Sequence, residues 1–351
     1  MKVLADFHHQ ALFHSLYRLF ETRLGWELYR PIGKEWWEQG FWKVYNHPNT
    51  AEQFLGLHQG TEVPHDVHGD PLPEVERKNL HYTIEDGVYY IKDLTFGTTH
   101  RAVRLDKFRE MDFDIVIASM PQHVVPYQTL IQQCQPHAKL VFQMGNNWQI
   151  PPGVQNAMVS ARIDGYHPGH NQQIVSYHQE FDLDVFKYEP PKFHNIINSY
   201  VHYMKKPSLF TNVMSALPGW VGTTYGAGMQ LQLQGAPAVA NAMKDSAFTW
   251  HYKPGGDGYG HVLYSSYACG RPAVVYGAHY RGCLASELLQ DGVTCIDTSI
   301  RTGTEIVEAL KYHSEPERHA KMCENAYNRF RECVDFDLEE GRLRLFLEQL
   351  K

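Results

Sequence analysis

A chain of 351 residues, 43% hydrophobic and 20% charged, is long enough for two domains and apolar enough to bury a sizeable core, which excludes a disordered chain. Its 39 acidic residues outweigh 32 basic ones, and the net charge of −7 argues against broad electrostatic binding to nucleic acid or an anionic membrane. No apolar run approaches the roughly 20 residues a membrane helix needs, and Asp6 interrupts the amino terminus before a signal-peptide core can form. A cytoplasmic protein without a membrane span is expected. The six cysteines (Cys134, Cys269, Cys283, Cys295, Cys323, Cys333) include no C-x-x-C pair, which fits reduced, packed thiols better than a disulfide framework or a structural zinc.

Lys2 to Phe7 reads as a short strand, and Leu12, Leu16, Leu19, Phe20 and Leu24 then recur at helical spacing until Gly25 stops them. Trp26 to Tyr29 begins a second strand. From Pro31 to about Gly97 the pattern turns irregular, with a hairpin expected at Tyr82–Ile84 and Val88–Ile91 around Glu85-Asp86-Gly87. Regular alternation then returns. Strands at Asp114–Ser119, Ala138–Gln143 and Ala157–Ser160 flank a helix at Val124–Cys134, the pattern of a parallel sheet covered on both faces. Residues 1–188 are therefore expected to form a Rossmann-like domain with an insertion around 31–97.

The prolines of Tyr188-Glu189-Pro190-Pro191 mark the expected linker, since they stiffen the chain and deny it helix and ladder bonding. Beyond it, strands at Ile196–Met204, Ala247–His251, Pro272–Val275 and Thr294–Asp297 alternate with helices. Those helices are expected at Leu209–Leu217, Val239–Met243, His261–Cys269, Cys283–Leu289, Glu305–Tyr312 and Glu315–Cys333. A second Rossmann-like domain over 192–333 follows from this alternation, and Leu338–Leu350 supplies a closing helix within 334–351.

In open parallel sheets, ligands bind beyond the carboxyl ends of the strands, where loops enter helices. The segment Trp250 to His261 is such a loop. Gly255, Gly256, Gly258 and Gly260 let backbone amides approach a ligand closely, and the helix start at His261 offers N–H groups and a positive dipole end suited to phosphate. Lys253, Asp257 and His261 are its polar neighbours. The loop is neither G-x-G-x-x-G nor a phosphate loop closing on Gly-Lys-Ser/Thr. Gly219, Gly222 and Gly226 mark a second glycine-bearing loop. His65, Asp66, His68 and Asp70 carry metal-ligating side chains without diagnostic spacing, so a plain loop is the better reading there. His123, after the strand at Asp114–Ser119, is a further candidate for the ligand cleft, and Asn146, Asn147 and Trp148, after the next strand, read either as ligand contacts or as a plain loop.

The stretch from Asp257 to Asp297 resembles the donor-binding half of group-1 (family 4-like), retaining-type glycosyltransferases of the GT-B fold. Their second domain commonly reads E-G-F-G-x-x-x-x-E-A-x-A-C-G-x-P-V, followed by a Glu-rich helix and D-G-V-T-G. Here the chain reads Asp257-Gly258-Tyr259-Gly260, then Ser265-Ser266-Tyr267-Ala268-Cys269-Gly270-Arg271-Pro272-Ala273-Val274. Glu287-Leu288-Leu289-Gln290-Asp291-Gly292-Val293-Thr294 follows at the family's distance. The helix after Ser314-Glu315-Pro316-Glu317 matches the one that follows the family's S-D-P-E segment.

The resemblance implies two Rossmann-like domains facing a cleft, with C-terminal helices packing back toward the first. It implies sugar transfer from a nucleotide-diphosphate donor to an acceptor, without a cofactor or a catalytic metal. The family's first acidic residue, near the transferred sugar, falls on Asp257. Its second Glu, which bonds the ribose, falls on Ser265, where a serine cannot give a charge-assisted pair to a diol; Ser266 stands next to it. Lys253 is the nearest cation for the diphosphate, which would lie against Gly255, Gly256, Gly258, Tyr259, Gly260 and His261. His8 and His9 fall at the end of the first strand, where such enzymes often place a base or a sugar contact, and Trp36 and Trp37 offer an aromatic acceptor platform. The acceptor stays open among a glycan, a small molecule and a modified nucleic acid. Other readings of this architecture are a phage-type DNA base glycosyltransferase, a nucleotide-sugar epimerase and a non-catalytic binding module.

Overall fold

The computed structural model describes residues 1–6, 10–33, 35–36, 39, 81–93, 98–146, 149–163, 172–200, 207–226, 231–233, 235–253 and 258–350. These form two compact units. The first comprises Met1–Ser160, Gly165–Glu180 and Phe336–Lys351, and the second Ala161–Asp164 and Phe181–Asp335.

In the first unit, strands β1 (Lys2–Ala5), β2 (Glu27–Pro31), β3 (His81–Glu85), β4 (Val88–Asp93), β5 (Thr98–Val103), β6 (Ile115–Ala118), β7 (Lys139–Met144), β8 (Asn156–Val159) and β9 (Gln173–Ser176) make one sheet. Its order is β3-β4-β5-β2-β1-β6-β7-β8-β9, and all pairs are parallel except β3–β4 and β4–β5. Asp86 (φ 50) and Gly87 (φ 77) turn β3 into β4 with the left-handed pair that a tight hairpin needs, as their Asp-Gly sequence indicates. Helices α1 (Gln10–Tyr17), α2 (Leu105–Glu110) and α3 (Val124–Cys134) pack on the sheet.

Alternate strand residues serve opposite faces of this sheet. Leu4, Tyr29, Val116, Phe142 and Val159 meet Phe108 of α2 and Tyr127 and Leu130 of α3. Val3, Ala5, Ile115, Ile117 and Met158 meet Leu12, Phe13 and Leu16 of α1. The last helix of the chain, Phe336–Gln349, completes that second core with Leu343 and Leu347. Its Glu339 carboxylate accepts the His178 amide at 2.8 Å and pairs with the His178 ring, while Arg23 holds Glu180 at 2.5 Å and Asp337 at 2.6 Å. The return of the closing helix to the first domain is thus borne out.

The second unit is a parallel sheet of β10 (Ile196–Ser199), β11 (Val221–Thr224), β12 (Phe248–His251), β13 (Ala273–Val275) and β14 (Cys295–Asp297), in the order β11-β10-β12-β13-β14. Its helices are α4 (Pro207–Ser215), α5 (Gly235–Lys244), α6 (His261–Ala268), α7 (Gly303–His313) and α8 (Pro316–Cys333); the closing helix is α9. Every residue of β12 is buried, as expected of a central strand covered on both faces. Thr302 and Glu305 form a reciprocal capping box at the head of α7.

Several boundaries depart from the sequence pattern. β5, α2 and β9 were not marked by it, because their short runs carry little periodicity. The second glycine loop contains strand β11, and a Cβ at Gly222 would stand 2.9 Å from Met214 of α4, so that glycine serves packing. The helix expected at Cys283–Leu289 is a tight 3-10 turn, Leu284–Leu288. The chain enters the second unit at Phe181, ahead of the proline pair. Tyr188 and Glu189 are docked on that unit: Arg271 donates to Glu189 O at 2.9 Å, Lys244 pairs with the Glu189 carboxylate at 3.0 Å, and Tyr188 closes over Gly270.

Candidate functional site

β10 and β12 are neighbours, yet the chain runs from β10 to β11 on one side and from β12 to β13 on the other. The strand order therefore reverses between β10 and β12, and their carboxyl ends are the place where such a sheet takes a ligand. β10 ends at Ser199, which is fully buried and whose hydroxyl has no hydrogen-bond partner. β12 delivers His251, Tyr252 and Lys253 to the same edge.

Helix α6 starts at this edge. Gly260 is its N-cap, with φ of 85° and ψ of 42°, and no side chain caps the helix end. A left-handed N-cap suits glycine. The Gly260 carbonyl accepts from Leu263 N at 2.8 Å and Tyr264 N at 3.2 Å, which closes the first turn and leaves the capping position without a side-chain oxygen. The amino ends of helices carry partial positive charge and attract anions. The far end of α6 is firmly held, since the Tyr267 hydroxyl donates to Thr294 O at 2.8 Å.

Aromatic rings crowd the same edge. Tyr259 stacks on Tyr264 at 4.5 Å with 7° between planes and meets the His261 ring edge-on at 4.7 Å. The Tyr264 hydroxyl donates to Glu287 at 3.1 Å, and its pKa is pushed up first by burial and then by Tyr259 and Glu287. Tyr252 and Tyr276, the residues following β12 and β13, stack at 5.0 Å, and His279 lies 4.6 Å from Tyr276. Asp297 fixes this second group by accepting the Gly277 amide at 2.9 Å. Gly277 leaves no room for a Cβ, which would stand 2.3 Å from that carboxylate. Such an edge combines a helix amino end, a lysine and the half-buried rings of His261, Tyr276 and His279, which suit a ligand with phosphate and planar parts.

Of the residues singled out by sequence, Lys253, Gly258, Tyr259, Gly260, His261 and Ser265 are brought to this edge or to helix α6. Gly255, Gly256 and Asp257 lie outside the described residues, as do His8, His9 and Trp37. Ser266 has an internal role: its hydroxyl donates to Arg271 O at 2.9 Å and shares a 2.6 Å bond with Thr249. Trp36 is a core side chain, 2% exposed, packed on Phe108 and Tyr127 with its indole N–H donating to Val103 O. An indole so placed offers no face to a sugar, and that part of the expected acceptor platform is corrected. His123 sits with Asp6 at the carboxyl ends of β1 and β6. Asn146 is half-buried, and His65, Asp66, His68, Asp70, Asn147 and Trp148 lie outside the described residues. Among the described residues no three His, Cys, Asp or Glu side chains gather as a metal site, and no helix is long and apolar enough to cross a membrane. Sequence reasoning missed Ser199, Tyr276 and His279; only their position just at or after a predicted strand would have signalled them.

No protein-family model matches the chain, and no curated protein is similar to it in sequence. Solved structures are similar in fold. HepE from Anabaena, solved with UDP-glucose, superposes with a TM-score of 0.62 at 12% identity, covering 99% of this chain and 100% of that one. Sucrose-phosphate synthase from Thermosynechococcus elongatus gives 0.62 at 11% identity, over 99% and 98% of the two chains. TarM from S. aureus, as a variant complexed with Fondaparinux, alpha-GlcNAc-glycerol and UDP, gives 0.59 at 12% identity, over 98% and 99%. At such identities the likeness establishes the fold: two Rossmann-like α/β domains with C-terminal helices, of the GT-B class.

Proposed function

We propose that this protein is a glycosyltransferase that takes a sugar from a nucleoside-diphosphate donor held on its second unit. The observation that carries the reading is the amino end of α6, which has a left-handed glycine and no side-chain cap at the carboxyl end of β12, with Lys253 just after that strand. A diphosphate seated there meets backbone N–H groups, the positive helix end and an ammonium. As the bond from the anomeric carbon to the diphosphate breaks, charge grows on the leaving oxygen, and these groups stabilise it without reorganising. HepE, solved with UDP-glucose, supports a UDP-sugar as the first donor to try.

The sequence resemblance adds Asp257 beside the transferred sugar and a donor class of the family 4 kind, with retention of anomeric configuration. His8 and His9 remain candidates for contacts on the first unit. Ser265, in place of the family's ribose-binding glutamate, predicts a weaker grip on the ribose. The acceptor is a hydroxyl-bearing molecule drawn from glycans, small molecules or modified nucleic acid.

Two variants test the site. Lys253→Ala should weaken UDP binding about tenfold to a hundredfold, the range for losing a charge-assisted contact to a phosphate, read by calorimetry. Asp257→Ala should leave UDP binding intact and abolish UDP release from UDP-glucose. Wild-type behaviour of both variants would remove the site assignment. Binding of UDP-glucose without turnover across acceptors would favour a non-catalytic module.

A further inference from the structure

Strand β3 ends the nine-stranded sheet of the first unit, and among the described residues β4 is its one strand neighbour. The two-residue turn Asp86-Gly87 closes this hairpin on a hydrogen-bonded pair, Glu85 with Val88. Bonded and non-bonded pairs alternate along antiparallel strands, so Thr83–Tyr90 and His81–Lys92 are bonded as well. The N–H and C=O groups of Tyr82 and Ile84 therefore point the other way, to the open edge.

Edge strands are usually blunted by a proline, a lysine or a bulge. β3 reads His-Tyr-Thr-Ile-Glu, and its register with β4 runs one to one without a bulge. Thr83 and Glu85 are exposed, and Ile84 is 53% exposed. Residues opposite one another share a face, so Ile84 lies on the side of Tyr89, which packs with Ile32, Ile91 and Ala102. An apolar strip thus crosses the sheet and reaches its edge uncovered.

The strand is complementary to itself. Turned antiparallel about Thr83, a second β3 sets Tyr82 opposite Ile84, His81 opposite Glu85 and Thr83 opposite its own copy. The outward groups of Tyr82 and Ile84 then meet those of Ile84 and Tyr82 in the second copy, and all of them are paired. A slip of one residue would set outward groups against inward ones. The opposed pairs are an aromatic with a β-branched residue, an imidazole with a carboxylate and two threonines, each a favourable cross-strand pair. No like charges face each other.

We propose that β3 is a self-association edge: two copies of this chain pair their β3 strands antiparallel about Thr83 and join their sheets into one. The interface is isologous and closes at two copies. A strand of five residues is short against the roughly 800 Å² per partner of a standard interface, so the dimer is a weak one that forms as concentration rises. The proposal is independent of the donor site on the second unit.

The test is sedimentation velocity of the full chain from about 1 μM to about 500 μM, the range over which a weak interface fills. The wild type should pass from the 40.5 kDa monomer to a species of twice that mass. Thr83→Lys and Thr83→Glu each oppose like charges at the twofold axis, in a non-bonded pair where side chains lie closest, and each should weaken association about tenfold. An equimolar mixture of the two variants opposes lysine to glutamate and should recover the wild-type behaviour. Thr83→Cys, close in size to the native residue, should give a disulfide-linked dimer with diamide that dithiothreitol reverses and the wild type does not form. A wild type that stays monomeric throughout overturns the proposal, and slow exchange of the Tyr82 and Ile84 amides in that monomer would assign the edge to another segment of this chain. Dimers that persist in both charged variants overturn it, as do dimers lost in both and not recovered by the mixture. Assembly beyond two copies, or no cross-link in Thr83→Cys, also overturns it.

Discussion

Replacing Arg271 by leucine should destabilise the second unit by on the order of 4 kcal/mol, because it strands a set of buried carbonyls at once. The Arg271 side chain is 0% exposed. Its NH1 donates to Glu189 O at 2.9 Å, Cys269 O at 3.1 Å and Gly270 O at 3.1 Å, and its NH2 to Lys244 O at 2.7 Å. The guanidinium therefore joins the ends of α5 and α6 to the segment that enters the unit at Tyr188–Glu189. Leucine fills part of the space and satisfies none of these oxygens, each of which then carries a desolvation cost of roughly 1–3 kcal/mol with partial relief from relaxation. Lysine should also fail, since one ammonium cannot span the fork of acceptors that a planar guanidinium reaches. Urea unfolding of Arg271→Leu is the measurement, and a loss below about 1 kcal/mol would show that the carbonyls find other partners.

The second unit should also lose roughly 3 kcal/mol between pH 6.5 and pH 4 through His319 alone. Burial pushes this imidazole down to about 4, helped by the nearby His194, Arg271 and His313, against the opposing hydrogen bond to Ala247. His319 Nε2 faces Ala247 O at 2.9 Å, so Nε2 carries the proton, and Nδ1 accepts from His194 Nδ1 at 2.8 Å. A second proton on Nδ1 would meet the His194 donor head-on. The folded state then binds fewer protons than the unfolded chain, whose imidazole titrates near 6.5. Stability is accordingly complete above pH 6.5 and is lost as the pH falls toward 4. His319→Gln, which keeps a donor for Ala247, should flatten this part of the pH profile. His100 in the first unit, pushed down to about 2 by burial and by Arg30 and His14, acts in the same direction. A pH-independent unfolding midpoint across this range would contradict both assignments.

Much of this architecture was legible because it is written in local patterns. The helix at Val124–Cys134 has the predicted bounds, since its apolar spacing is regular and a proline-led turn precedes it. The Asp86-Gly87 turn was readable because few other residues adopt two successive left-handed conformations. The Gly258–His261 segment was legible as a helix start beyond a strand, and its glycine proved to be the left-handed N-cap. What could not be read were long-range partnerships. Arg271 stood in the sequence as one position of a motif, and only the folded chain shows that it gathers carbonyls from three segments. Asp6 looked like a charge that ends an apolar run, because its partner His123 is more than a hundred residues away. Trp36 looked available to a sugar because an aromatic pair in an irregular stretch gives no sign of which face the core will take.

The most direct measurement of the donor site is hydrogen–deuterium exchange of the full chain with and without UDP at saturating concentration. A nucleoside diphosphate seated on the second unit should slow exchange at the strand-end segment after β12, through Lys253 to the first turn of α6 at Val262–Leu263, and at Tyr276–Tyr280. Protection there, absent in Lys253→Ala at the same UDP concentration, is the predicted result. Unchanged exchange throughout the second unit, or protection confined to the first, would contradict the assignment of the nucleotide to the amino end of α6.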